Sequence, residues 1–262
     1  MELGLNGKTA LVTGASYGLG FACAKELAAE GVRVVLCSRD ADRANNAAEQ
    51  IAQETGSQVT GVAADLRNRQ EVGELLDRAE AVLGAVDILV LSTGHPPTFP
   101  FTRATDEHWE EGIDLILRPA ISLTRGLLPG MRERDYGRLI YIGSATGLQP
   151  EESSVVQSTL RTGINGFSKC IATEAAADGV TANVLCPGYF DTPLVTDLAG
   201  KYAEEEGVST EQVLDNWKKL SPAAKFGKPE DLGAFVAFLA SPRGEFFNGT
   251  SIAMDGGYLK QY

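Results

Sequence analysis

Residues 9–40 read TALVTGASYGLGFACAKELAAEGVRVVLCSRD. Ala10, Leu11 and Val12 are a short apolar run of the kind that makes a buried strand. The turn Thr13-Gly14-Ala15-Ser16-Tyr17-Gly18-Leu19-Gly20 follows. Residues 21–30 are rich in Ala, Leu, Lys and Glu, which favour helix. Gly31 supplies a stop, and 32–37 is a second apolar run. Strand, glycine turn, helix and strand within about thirty residues is the setting that a dinucleotide-binding turn requires. Each glycine has a task there. Gly14 turns the chain off the first strand, Gly18 clears space for a pyrophosphate, and Gly20 lets the helix lie close on the sheet. The phosphates then meet unpaired N–H groups at the helix N-terminus.

Working outward, apolar runs and helical stretches keep alternating. Helices are expected at 39–55, Arg69–Leu83, 105–128, 154–177 and Pro229–Ala240. Further strands are expected at 58–63, 86–91, 138–142, 181–186 and 249–254. Pro119 is expected to kink the long helix. Residues 189–225 form a long polar excursion with helical pieces. The alternation argues one α/β domain over residues 1–262: a doubly wound parallel sheet of about seven strands with helices on both faces. Ligands of such sheets sit beyond the carboxyl ends of the strands. One rim then collects the glycine turn, Ser38, Arg39, Asp65, Ser92, Thr93, Gly94, His95, Ser144, Pro187, Gly188 and Thr192.

The 262 residues carry a formal charge of −12, which argues against nucleic acid or an anionic membrane as partner. The hydrophobic fraction of 44% is that of a globular chain. Cys23, Cys37, Cys170 and Cys186 show neither metal spacing nor the density of a secreted scaffold. They read as free thiols in a reducing compartment, no metal is expected, and a cytoplasmic location is the default. No apolar run is long enough to span a membrane.

The spacing Gly-x-x-x-Gly-x-Gly in this setting resembles the short-chain dehydrogenase/reductase family, and the resemblance runs from Gly7 to Gly257. It implies a Rossmann domain, a nicotinamide cofactor, a small-molecule substrate and carbonyl–alcohol chemistry. By the same resemblance the cofactor contacts are Thr13, Gly14, Ser16, Tyr17, Gly18, Leu19, Gly20, Ser38, Arg39, Asp65, Leu66, Ser92, Thr93, Gly94, Arg161, Pro187, Gly188 and Thr192. Asp65 matches the residue that contacts the adenine. Pro187, Gly188 and Thr192 match the segment that contacts the nicotinamide carboxamide. Ser92-Thr93-Gly94 stands where the family has Asn-Asn-Ala-Gly. Family members that use NAD end the second strand in an acid, which binds the ribose 2′-OH. Here Ser38 and Arg39 stand there, and a hydroxyl beside a guanidinium suits a 2′-phosphate, so NADP(H) is favoured over NAD(H).

The catalytic positions depart from the family. Its tetrad is Asn, Ser, Tyr and Lys, with Tyr thirteen residues after Ser and Lys four after Tyr. Ser144 is in place, but Gln157 stands thirteen on and Arg161 four beyond it. The expected Asn falls at Ile116. The run 163–169, GINGFSK, fits the family helix without a gap. Gln157 cannot ionise, and Arg161 keeps its proton at physiological pH. Arg161 can still bind ribose or a carboxylate, or stabilise an oxyanion. Lys169, about 12 Å further along the helix, is too far to replace the Lys. His95 and Tyr189 are the candidate substitute acids, the alternatives being an ordinary loop histidine and a pocket wall. Glu151 and Glu152 read as solvated charges.

The pattern resembles a divergent branch related to 3-oxoacyl-carrier-protein reductases. The leading expectation is an NADP(H)-dependent oxidoreductase with Ser144, Gln157 and Arg161 in a modified site and 189–225 as substrate lid. The alternatives are a nucleotide-binding sensor or scaffold without turnover, and a cofactor-assisted cyclase or isomerase. The helices 105–128 and 154–177 carry apolar residues on two sides, and the segment 252–262 ends in apolar and aromatic residues. Both features, with the family resemblance, imply a homotetramer or homodimer.

Overall fold

β1 (Thr9–Val12) is buried along its whole length, because parallel strands stack on both sides of it and helices cover both faces. The computed structural model describes residues 2–260. β1 is followed by α1 (Gly18–Ala29), β2 (Arg33–Ser38), α2 (Ala41–Thr55), β3 (Val59–Ala63), α3 (Arg69–Leu83) and β4 (Ile88–Leu91). The second half adds α4 (Asp106–Gly112), α5 (Arg118–Glu133), β5 (Gly137–Ile142), α6 (Val155–Ala175), β6 (Val180–Pro187), α7 (Pro193–Glu206), α8 (Thr210–Lys218), α9 (Pro229–Ala240) and β7 (Ser251–Met254).

The strands form a single seven-stranded sheet in the order β3-β2-β1-β4-β5-β6-β7, every pair parallel. This is the expected doubly wound α/β domain. The order reverses between β1 and β4, so a crevice opens there at the carboxyl ends. Two cores sandwich the sheet. Val72 and Leu75 of α3, Leu123 of α5 and Leu160 of α6 pack on one face. Cys23 and Leu27 of α1, Ile51 of α2 and Val236 of α9 pack on the other.

Several boundaries differ from the sequence expectation for local reasons. α1 begins at Gly18 rather than Phe21, because the turn glycines join the helix despite their poor propensity. α2 begins after Asp40, whose carboxylate accepts the Arg43 N–H at 2.9 Å. The expected helix 105–128 is interrupted by a π-helical stretch, Ile113–Leu117. Pro119 sits in the first turn of α5, and its missing N–H leaves the Leu115 carbonyl without its helical donor. The wider turn of the ladder lies directly before that defect. Ile116 belongs to this stretch and is fully buried in the core.

The excursion folds as α7 and α8, which share a small cluster of Ala199, Ala203 and Val213 flanked by Leu214 and Trp217. Beyond β7 the tail doubles back. The Asp255 carboxylate accepts the Gly257 and Leu259 N–H groups, and the Lys260 N–H donates to Gln149 Oε1 at 3.1 Å. The tail therefore lies against the loop between β5 and α6. Of the segment 252–262 expected at an interface, Gln261 and Tyr262 lie outside the described residues.

Candidate active site and cofactor cradle

The turn after β1 is pinned to both neighbouring strands. Thr13 N–H donates to the Val90 carbonyl at 3.0 Å, Thr13 Oγ1 donates to the Ser92 carbonyl at 2.7 Å, and Ala15 N–H donates to the Cys37 carbonyl at 3.0 Å. Gly14 has φ +57°, and a Cβ there would meet the Ser92 oxygen at 2.7 Å, so only glycine fits. Tyr17 caps α1 without any side-chain hydrogen bond, and the first turn of α1 holds no acid. The first N–H groups of α1 thus keep their capacity for an anion. A Cβ at Gly18 would lie 3.6 Å from Thr192 Cγ2, so the segment after β6 closes over the same turn. These residues fit a dinucleotide diphosphate, with Ser16, Leu19 and Gly20 completing the turn.

At the carboxyl ends of β2 and β3, Ser38 Oγ donates to the Asp40 carbonyl at 2.7 Å and accepts its N–H at 3.3 Å. Arg39 beside it is exposed. The Asp65 carboxylate is held by the Arg67 guanidinium, with Oδ2 2.6 Å from Nη2, and its pKa is lowered by that bond. Arg39 adds a further positive potential there. The sequence reading missed Arg67. A basic residue two positions after the expected adenine contact was the available signal. Leu66 is buried behind Asp65.

Around β5 and α6 the departed tetrad forms a connected cluster. Ser144 Oγ accepts from the Thr146 N–H at 3.2 Å, from Thr146 Oγ1 at 3.0 Å and from Gln157 Nε2 at 3.4 Å. Gln157 Nε2 also reaches Thr146 Oγ1 at 3.3 Å. Three donors surround the serine oxygen, which leaves its own proton for an outside acceptor. Gln157 Oε1 is buried and has no partner among the described residues. Such an acceptor costs about 1–3 kcal/mol if it stays empty. Thr146 is the other residue the sequence reading missed; it is identifiable only once the turn Ala145–Gly147 brings it onto Ser144.

Arg161 is turned inward. Its Nη1 donates to the Ile142 carbonyl at 2.8 Å and its Nη2 to the Gly94 carbonyl at 3.2 Å. The side chain ties the ends of β5 and β4 together, and burial drives its pKa down to about 10. Each terminal nitrogen thus gives one hydrogen to a backbone carbonyl and keeps another, and Arg161 Nε is buried without a partner among the described residues. Ser92 is buried, whereas Thr93 is half-buried and Gly94 exposed at the rim.

His95 Nδ1 lies 2.8 Å from the Pro96 carbonyl. That oxygen only accepts, so Nδ1 carries the hydrogen and Nε2 the lone pair. Burial, and then the Arg161 charge, hold the His95 pKa down to about 4. At neutral pH it is an uncharged acceptor. Tyr189 stacks on Trp217 with centroids 5.2 Å apart and meets Tyr258 edge-on at 6.0 Å. Burial, and then the Glu151 charge, push its phenol up to about 12. At neutral pH the imidazole is therefore uncharged, and the phenol keeps its proton as a weaker acid than an ordinary tyrosine. Glu152 is exposed as expected, but Glu151 is not simply solvated: Tyr258 OH donates to its Oε1 at 2.5 Å. The chain reversal after β7 delivers that phenol. Pro187 pairs with Met254 and the Gly188 N–H donates to the Met254 carbonyl at 3.0 Å.

The family model for short chain dehydrogenases matches residues 8–203. The chain belongs to the short chain dehydrogenase family. Its relatives include the D-beta-hydroxybutyrate dehydrogenase of Cupriavidus necator, 36% identical over 259 residues, covering 98% of this chain and all of that protein. The 3-oxoacyl-acyl-carrier-protein reductase of Aquifex aeolicus is 30% identical over 257 residues, covering 98% of this chain and 99% of the relative. The crystal structure of L-sorbose reductase from Gluconobacter frateurii, complexed with NADPH and L-sorbose, is 32% identical, with a TM-score of 0.95 and full coverage of both chains. The short-chain dehydrogenase fold and the resemblance to 3-oxoacyl-carrier-protein reductases therefore stand, and with them an oxidoreductase assignment.

Proposed function

We propose that this protein is an NADP(H)-dependent oxidoreductase that interconverts a carbonyl and an alcohol through a site lacking the family's tyrosine. The observation that carries this reading is the three-donor cluster on Ser144, set on the same rim as a fully formed dinucleotide turn. When bound, the nicotinamide supplies or takes up a hydride at the substrate carbon. Ser144 O–H donates to the substrate oxygen, while Thr146 and Gln157 fix the direction of that hydroxyl. Arg161 braces the β4 and β5 ends that carry Gly94 and Ser144. As the carbonyl π pair moves onto oxygen, a proton from solvent reaches it through the Ser144 hydroxyl. A positioned general acid contributes about 10²–10⁴-fold in rate, so reduction of simple ketones is slow here.

NADP(H) is favoured because Arg39 stands exposed at the end of β2, where a 2′-phosphate would lie, and Ser38 brings no carboxylate there. The NADPH in the L-sorbose reductase structure supports that choice. Thr13, the glycine turn, Asp65, Leu66, Ser92, Thr93, Gly94, Pro187, Gly188 and Thr192 line the rest of the cofactor path. α7 and α8 cover the substrate end as a lid. The protein acts in the cytoplasm as a homotetramer or homodimer through α4, α5 and α6. Loss of NADPH absorbance with a panel of ketones, oxoacyl thioesters and ketoses, and its appearance with alcohols and NADP⁺, tests the reading. Tight NADPH binding without turnover on any of them would favour the sensor or non-redox alternative, for which the absence of an ionisable donor speaks.

A further inference from the structure

α6 begins at Val155 without a side-chain cap, and the Ser154 Oγ before it is buried with no partner among the described residues. Its first turn nevertheless carries Gln157, whose Nε2 reaches Ser144 Oγ at 3.4 Å and Thr146 Oγ1 at 3.3 Å. Both contacts are at the long end for a hydrogen bond, so a shift on the order of a few tenths of an ångström breaks them. With no cap of its own, the turn is placed by groups outside the helix. The Val155 N–H donates to the Phe99 carbonyl at 3.2 Å, and the Glu151 N–H donates to Ser158 Oγ at 3.1 Å. Glu151 is in turn anchored by the tail. Tyr258 OH donates to its Oε1 at 2.5 Å, and the Lys260 N–H donates to Gln149 Oε1 at 3.1 Å. The Asp255 carboxylate holds the reversal that delivers both groups, by accepting the Gly257 and Leu259 N–H groups. The Tyr258 ring also lies edge-on to Tyr189, with centroids 6.0 Å apart.

We infer that Tyr258 is a positioning residue for the Ser144 cluster. Its hydroxyl fixes Glu151. Glu151, bonded to Ser158, fixes the first turn of α6, and that turn sets the reach of Gln157 to Ser144. Tyr258 thus acts through Glu151 and Gln157 and not on the reacting atoms. This rests on the reading that Ser144 holds the substrate oxygen, and it adds the residue that keeps the serine hydroxyl aimed. Removing the phenol oxygen alone leaves the ring against Tyr189, so only the tie to Glu151 is lost. A residue that acts through Gln157 has nothing left to act on once Gln157 is gone, which separates this role from a general contribution to the fold.

The test makes Tyr258→Phe in the full chain, in the wild-type and Gln157→Leu backgrounds. NADPH consumption is followed with an acetoacetyl thioester and with a ketohexose. Tyr258→Phe should lower kcat about three- to tenfold, the weight of one hydrogen bond, and leave the KM for NADPH unchanged. In the Gln157→Leu background the same change should lower kcat by less than about twofold. Glu151→Ala should match Tyr258→Phe, and Glu151→Gln, which keeps an acceptor for the phenol, should lose less. Equal losses in the two backgrounds overturn the inference, as does a Tyr258→Phe enzyme with wild-type kcat. Amide hydrogen exchange of the chain without added cofactor is read in parallel and needs no turnover. Tyr258→Phe should speed exchange in residues 149–160 by about threefold or more and leave residues 9–40 unchanged. Unchanged exchange in 149–160 overturns the inference. A wild-type chain that consumes no NADPH with either probe counts against the oxidoreductase reading, and the exchange result then still decides the role of Tyr258.

Discussion

Replacing His95 with glutamine should remove a defined part of the acid sensitivity of folding. The folded-state pKa of His95 is lowered from 6.5 to about 4, chiefly by burial. In the unfolded chain the imidazole gains a proton near pH 6.5, whereas the folded site refuses it until about pH 4. The stability contributed by the neutral ring is complete above the unfolded value and is lost as pH falls through this window. The loss is about 1 kcal/mol near pH 5.5 and roughly 3 kcal/mol near pH 4.5, at 1.36 kcal/mol per pKa unit. Glutamine keeps a donor for the Pro96 carbonyl and cannot titrate. Urea unfolding of wild type and His95→Gln across this range reads the difference, since all other acid effects are common to both. The wild-type stability should fall faster by those amounts. Parallel loss in the two proteins would refute the buried neutral imidazole, and with it the exclusion of His95 as the proton donor.

Arg39→Ala should weaken NADPH about tenfold with little effect on NADH, a charged phosphate contact being worth about 1.5–3 kcal/mol; Ser38→Asp should reverse the preference, and fluorescence titration of both cofactors checks each. The double change Gln157→Tyr with Arg161→Lys should raise ketone reduction detectably yet leave it well short of a tyrosine-bearing reductase in steady-state assays. One ammonium does not span the Ile142 and Gly94 carbonyls that Arg161 joins, and Ile116 offers no amide. Light scattering at micromolar concentration should give a tetramer or dimer; a monomer would refute assembly through α4–α6.

The sheet and the diphosphate turn were legible because they rest on local signals: apolar runs, glycine spacing and the helix that follows. Gly14 announces itself by type, and the structure adds only that the Ser92 carbonyl is what forbids a side chain. Ser144, Gln157 and Arg161 were found by counting along a motif, and the fold gathers them. Their bonding was not legible. Whether a guanidinium faces a ligand or two strand ends depends on contacts to Gly94 and Ile142, which are 67 and 19 residues away. Thr146 carries no motif of its own. Glu151 looked solvated because its partner, Tyr258, lies 107 residues downstream on a tail whose reversal Asp255 sets. The π-helical stretch before Pro119 escaped because a proline signals a defect in the ladder without saying how the ladder adjusts.

In the proposed function, carbonyl–alcohol exchange proceeds without an ionisable donor near neutrality. The nearby titrating groups stand at about 4 for His95, about 10 for Arg161 and about 12 for Tyr189. The direct measurement is the rate of NADPH consumption at saturating cofactor and carbonyl substrate from about pH 6 to 9. A flat profile is expected. A limb with an apparent pKa inside that window, or no NADPH consumption with any carbonyl compound, would contradict it.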